Sequence, residues 1–163
     1  MIFVTVGTHE QQFNRLVECV DKLKENGLIE EVIIQTGFCT YEPRFCKFSK
    51  LFPYKKMLEN VHNARIVITH GGPSSFIMPL QEGKIPIVVP RKFDFGEHVN
   101  NHQVDFCRAV ADRQGNIIVV EDIKMLGEII SDYDNIVKTM NTVIENNNLK
   151  FNAEFEKEIN TLF

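Results

Sequence analysis

The stretch Arg65-Ile66-Val67-Ile68-Thr69-His70-Gly71-Gly72-Pro73-Ser74-Ser75 decides how the rest of the chain reads. Ile66, Val67, Ile68 and Thr69 are all β-branched, so the run over residues 65–69 predicts a strand. The run is near-continuously apolar, which marks a strand buried on both faces. It stops at two glycines. Pro73 suits a first helical turn, where its missing N–H costs nothing, and residues 74–82 read as a helix. A buried strand entering a helix through a tight polar turn is half of a βαβ unit.

The same pattern repeats on either side. Residues 2–6 are an apolar run that ends at Gly7. After a polar loop over residues 8–12, Phe13, Leu16, Val17, Val20 and Leu23 recur at helical spacing, and Asn26-Gly27 closes the helix. Residues 32–34 read as a second strand and residues 44–48 as a third, followed by a helix over Tyr54–Asn63. Beyond the central unit come a strand over residues 86–89, a polar loop over 91–99 and a helix from about residue 100 to 114. A last strand covers residues 117–120, and helices follow from Asp122. There is neither an internal repeat nor a low-complexity linker. The expected fold class is α/β: one Rossmann-like, doubly wound parallel sheet covered on both faces.

Composition narrows the function. The 163 residues fit one domain, and 44% hydrophobic with 25% charged residues is ordinary for a globular protein. A net charge of −4 leaves no footprint for nucleic acid, so none is expected as a partner. The opening residues are too short and uncharged for a signal peptide, and no apolar run approaches the roughly 20 residues of a membrane span. A cytoplasmic protein is expected. Cys19, Cys39, Cys46 and Cys107 form no CxxC pair and read as small buried thiols.

In such a sheet, ligands bind outside the carboxyl ends of the strands, near the point where strand order reverses. Residues 7–12, 36–41, 70–75 and 91–103 are the loops that fall there. In the 70–75 loop, Gly71 and Gly72 allow close backbone approach, and Ser74 and Ser75 add hydroxyls beside a helix start. The motif is equally a serine-capped strand–helix turn with no ligand. Both GxGxxG and the Walker lysine motif are absent, which disfavours a nicotinamide enzyme or a P-loop ATPase. Gly7-Thr8-His9-Glu10 forms a second cleft loop, or simply a strand end with a solvated turn. Glu97-His98-Val99-Asn100-Asn101-His102-Gln103 carries donors and acceptors suited to sugar hydroxyls. His98 and His102, four apart, leave a metal site open as the rival, without an HExxH motif.

Together these segments resemble one family. Val4-Thr5-Val6-Gly7-Thr8, Thr69-His70-Gly71-Gly72, Gly83-Lys84-Ile85-Pro86-Ile87-Val88-Val89-Pro90 and the Glu97–Gln103 segment occur in the order expected for glycosyltransferase family 28. Residues 1–122 resemble the donor-binding half of those GT-B enzymes. They look closest to small bacterial capsule and exopolysaccharide subunits, related to the catalytic subunit of the dolichol-linked N-acetylglucosaminyltransferase. The resemblance implies a donor diphosphate at Gly71, Gly72, Ser74 and Ser75. It also implies a hexose near Asn101 and Gln103, with Glu97 and His98 beside it, and uracil near Pro53-Tyr54. Many members hold the ribose with a glutamate in the helix after the glycine turn. Here Pro79 stands at that position, with Glu82 nearby.

The resemblance further implies transfer of a hexose from a UDP-sugar, with inversion, to a lipid-linked saccharide acceptor brought by a membrane-associated partner subunit. No essential metal or other cofactor is expected. The general base is expected from the partner, with His9 as the in-chain candidate. A UDP-sugar epimerase and a non-catalytic nucleotide-binding subunit are the alternatives. The chain is expected to divide into a binding domain over residues 1–148 and a helical tail over 149–163. An apolar stripe of Phe151, Phe155, Ile159 and Leu162 would make that tail a docking segment or a core helix.

Overall fold

Six strands form one all-parallel sheet in the computed structural model, which describes residues 1–144, with side chains through Met140. The tail with its four apolar residues lies outside the described residues. The strands are β1 (Ile2–Thr5), β2 (Val32–Gln35), β3 (Lys47–Ser49), β4 (Ile66–His70), β5 (Ile87–Val89) and β6 (Ile118–Val119). Their spatial order is β3-β2-β1-β4-β5-β6. The chain winds outward from β1 through β2 to β3, then returns to the other side of β1 and winds outward again. This is a doubly wound, Rossmann-like sheet, and its switch point lies between β1 and β4. There Ile2 pairs with Ile66 and Thr5 with Thr69.

Among the described residues the sheet is flanked by helices α1 (Asn14–Glu25), α2 (Tyr54–Asn63), α3 (Pro73–Gln81), α4 (His102–Gln114) and α5 (Leu126–Ile144). Alternation along each strand assigns residues to opposite faces. Ile2, Val4, Ile66, Ile68 and Ile87 pack with Leu16, Val17 and Val20 of α1 and with Leu126 and Ile130 of α5. On the other face Phe3 and Val67 meet Val61 of α2, while Val88 meets Phe76 of α3 and Cys107 of α4. Because both faces are covered, each such side chain contributes about 2 kcal/mol of burial.

Most boundaries lie within a residue or two of the sequence reading, and the larger differences have local reasons. The third strand starts at Lys47 rather than residue 44. The buried Asp21 carboxylate accepts the N–H groups of Arg44, Phe45 and Cys46 at 2.9, 2.9 and 3.0 Å, so those donors are spent before the ladder begins. Helix α4 starts at His102 because Asn100 Oδ1 accepts the His102 N–H at 3.0 Å and Asn101 is the cap residue. Residues Ile123–Met125 form a 3₁₀ turn before α5, with Asp122 accepting the Lys124 N–H at 3.1 Å. Pro79 sits inside α3, where it withholds the N–H that would bond the Ser75 carbonyl.

Candidate functional site

A cleft of about 380 Å³ opens at the carboxyl ends of β1, β2 and β4, at the switch point. Thr5, Gly7, Thr8, His9, Gln35, His70, Ser74 and Ser75 line it, with Met57 and Val61 from α2 and Met78 from α3. The polar residues cluster here because the strands end here. Buried strand interiors tolerate few polar groups, whereas strand termini leave backbone and side chains to serve a ligand.

His70 organises the glycine turn. Its Nδ1 accepts the Gly72 N–H at 3.0 Å, so the ring proton must sit on Nε2. Nε2–H then donates to Ser75 Oγ at 2.8 Å. Burial, and after it the Arg91 guanidinium, push the His70 pKa down to about 4, which keeps the ring neutral. Ser75 therefore accepts from His70 and keeps its own hydroxyl proton for a group in the cleft. The glycines make room for this ring. A Cβ on Gly7, whose φ is +77°, would lie 2.3 Å from His70 Nε2, and one on Gly72 would lie 2.2 Å from Cε1. A Cβ on Gly71 would lie 2.8 Å from Cys107 Sγ. The Gly-Gly turn is a socket for an imidazole as much as an approach path for a ligand.

Helix α3 starts at this turn with Gly72 as its cap residue and Pro73 in the first turn, and no side chain caps it. Its N-terminal end faces the cleft through Ser74 and Ser75 with a partial positive charge.

Behind the cleft rim lies a cationic hub. Arg91 is fully buried. One terminal nitrogen donates to the carbonyls of Gln11, Gln12 and Glu97 at 2.9, 3.0 and 3.1 Å, and the other to Val6 O at 2.8 Å. Its guanidinium stacks over Phe13, 4.8 Å from the ring centre. Arg15 takes the Glu97 carboxylate in a bidentate pair, both contacts at 2.8 Å. The hub thus ties the 7–13 loop to the 91–97 loop, with two guanidinium groups against one carboxylate.

The expected site residues divide into two sets. Gly7, Thr8, His9, Ser74 and Ser75 line the cleft, Gly71 and Gly72 shape its turn, and His98 stands next to it with its ring centre 5.4 Å from that of His9. Glu97 is corrected: it is 0% exposed, and its carboxylate is held by Arg15 and by the Lys92 N–H at 3.0 Å, so it is unavailable to a sugar. Gln103 is buried against the Gly71 turn and its Oε1 accepts the Arg91 N–H at 3.1 Å, which leaves its amide NH₂ as a donor. Asn101 stays exposed. Its Oδ1 accepts the Phe93 N–H at 2.9 Å, which leaves the amide NH₂ as a donor. His9 Nδ1 accepts the Gln11 N–H at 3.2 Å, so Nε2 carries the proton and His9 offers a donor where a base was expected. Tyr54 is 71% exposed at the start of α2, and Met57, one turn on, lines the cleft instead. The His102 ring stacks on Phe106 while His98 faces His9, so the two four-apart imidazoles serve different neighbours.

Arg91, Arg15, His70 and Gln35 escaped the sequence reading as site residues. Gln35 ends β2, donates to Thr5 Oγ1 at 3.2 Å and accepts the Phe52 N–H at 3.0 Å. A lone glutamine closing an apolar strand, and an arginine directly after Pro90 at another strand end, were the available signals.

Comparison with known proteins bears on the family and the fold. The family model described as the glycosyltransferase family 28 C-terminal domain matches residues 1–161. A human protein, UDP-N-acetylglucosamine transferase subunit ALG13, is 32% identical over 119 residues, covering 66% of this chain and 10% of that protein. Among solved structures, the glycotransferase of kitacinnamycin superposes with a TM-score of 0.61 at 14% identity. The glycosyltransferase SnogD from Streptomyces nogalater does so with a TM-score of 0.53 at 17% identity. Each alignment covers 88% of this chain and 38% of the solved one, so the chain spans well under half the length of these three relatives. The structural likeness shows the fold, and the family match over nearly all of the sequence shows the descent: the chain belongs to the glycosyltransferase family 28 C-terminal domain family.

Proposed function

We propose that this chain is the donor-binding half of a two-component inverting glycosyltransferase. It would hold a UDP-sugar and act with a membrane-associated subunit that brings a lipid-linked saccharide acceptor, in capsule or exopolysaccharide synthesis. One observation carries the reading: at the switch point, a helix start without a side-chain cap stands beside a serine whose hydroxyl proton is unspent. A diphosphate placed there meets the α3 dipole and the Ser75 O–H, and the Arg91 hub adds a positive field from behind.

In the reaction, an acceptor hydroxyl attacks the anomeric carbon as the bond to the diphosphate oxygen breaks. UDP departs with the electron pair, and the acceptor proton passes to a base from the partner. The charge that develops on the diphosphate is met by Ser75, the α3 N-terminus and the Nε2–H of His9, fixed donors in a cleft half shielded from water. The relative named a UDP-N-acetylglucosamine transferase subunit supports both the uridine nucleotide and the need for a partner.

Thermal denaturation with UDP, GDP, ADP and CMP tests the nucleotide. A ligand at a hundredfold excess over its Kd stabilises by about 2.7 kcal/mol, and UDP is expected to give the largest shift. Preference for a purine nucleotide overturns the reading. A UDP shift without sugar transfer once the partner is supplied would leave a non-catalytic binding subunit.

A further inference from the structure

The floor of the cleft holds two buried polar side chains to which the diphosphate gives no task. Thr5 closes β1 and Gln35 closes β2, where the two residues pair in register, and each is 3% exposed. Both line the same cleft as Ser74 and Ser75. Their hydrogen bonds can be counted without ambiguity. The Phe52 N–H can only donate, and it reaches Gln35 Oε1 at 3.0 Å, which fixes the amide with its NH₂ group toward Thr5. Gln35 Nε2 then donates one hydrogen to Thr5 Oγ1 at 3.2 Å, and the Gly7 N–H donates to the same oxygen at 3.2 Å.

Two accepted hydrogen bonds fill both lone pairs of Thr5 Oγ1, so its own proton is left to give away. Thr69, the register neighbour on β4, does not take it, because the Thr69 hydroxyl oxygen has no hydrogen-bond partner. Gln35 Nε2 keeps its second hydrogen, for which the described residues supply no acceptor. The floor thus presents two unspent donors, while Thr5 Oγ1 and Gln35 Oε1 are already engaged. A buried donor left without a partner costs about 1–3 kcal/mol, so two of them facing a cleft point to a ligand atom that accepts. Met57 and Val61 of α2 and Met78 of α3 give the same cleft apolar walls, suited to the faces of a flat ring. Gln35 lies two strand spacings, about 10 Å, from the end of β4 where α3 begins. That is the reach of a ribose and its base beyond a diphosphate held at α3.

We propose that Thr5 and Gln35 are a specificity pair for the base: they donate to a ring carbonyl and so select uracil, which presents a carbonyl where cytosine presents an amino group. The assignment rests on the reading of the cleft as a nucleoside diphosphate site. An amino group in that place sets donor against donor, and a site whose buried polar groups fit one partner rejects the other strongly. Because the Phe52 N–H is spent on Gln35, the selecting donors belong to side chains and can be changed one at a time.

Calorimetric titration of the full chain with UDP, CDP, 4-thio-UDP and inorganic pyrophosphate tests it. The wild type is expected to bind UDP about tenfold or more tighter than CDP, and several-fold tighter than 4-thio-UDP, whose sulfur is a poor acceptor. Thr5→Val keeps the shape and removes the hydroxyl, and Gln35→Glu puts an acceptor in place of the donor. Each is expected to bring UDP and CDP to within about threefold of one another. Thr5→Ser keeps the donor and keeps the preference. Pyrophosphate affinity is expected to be the same in all of them, and thermal denaturation shows which variants are folded. Equal wild-type affinity for UDP and either analogue overturns the proposal and leaves the diphosphate reading in place. A folded Thr5→Val or Gln35→Glu variant with its preference intact has the same meaning, as does one that weakens UDP, CDP and pyrophosphate alike. Binding of none of the nucleotides by the wild type would overturn the diphosphate reading and this pair with it.

Discussion

His70 is neutral because burial, and after it the nearby Arg91 guanidinium, make charging the ring costly, and because its Nδ1 is committed to the Gly72 N–H. The consequence for stability has a definite sign. In the unfolded chain the ring takes up a proton near its ordinary value of 6.5, whereas in the folded chain it resists until about 4. As pH falls through that window the unfolded state gains protons that the folded state does not, so stability drops. By pH 5 this one group is expected to cost about 2 kcal/mol relative to pH 7.5. His70→Asn removes the titration, so urea denaturation at both pH values should show a smaller acid loss in the variant by about that amount. An equal loss in both proteins would mean that His70 is not held neutral. The same neutrality makes the Ser75 hydroxyl a donor across the physiological range, with no switch between pH 6 and 8.

At the scale of elements, the decisive feature is the tie between two loops that are about 80 residues apart in sequence. Arg91 holds four carbonyls with one planar fork, a pattern that a lysine ammonium cannot reproduce. Arg91→Lys is expected to destabilise the fold by about 3 kcal/mol and to weaken UDP binding several-fold, because the 7–13 loop loses its anchor. Chemical denaturation and calorimetric titration of UDP check the two effects, and a variant as stable as the wild type would remove Arg91 from its anchoring role. This tie also marks the limit of what the sequence could convey. Ile66–Thr69 and Ile2–Val4 read correctly because burial on both faces leaves a continuous apolar run, a purely local signature. Arg15 lies 82 residues from Glu97, Gln11 80 from Arg91 and Arg44 23 from Asp21, and nothing local distinguishes a carboxylate that will meet a guanidinium from one that will meet a sugar. Glu97 therefore reads as a sugar contact when it holds the Arg15 guanidinium and the Lys92 N–H. The late start of the third strand has the same origin, since Asp21 takes the donors that would open it from about 23 residues away.

Across the whole molecule, the sheet presents one polar end and leaves it open. The cleft sits at the switch point, and α3 and Ser75 face it. The solved glycosyltransferases it superposes on extend well beyond the matched 38% of their chains. The central claim is that a uridine diphosphate binds at this end of the sheet, against the start of α3. Amide chemical shifts recorded during titration of the ¹⁵N-labelled chain with UDP test it most directly. The account predicts the largest changes at Thr8, His9, Ser74 and Ser75, with the amides of Leu28 and Gly127, in a separate groove of about 520 Å³, left unmoved. Saturable changes centred on Leu28 and Gly127, or none at Ser74 and Ser75, would contradict it.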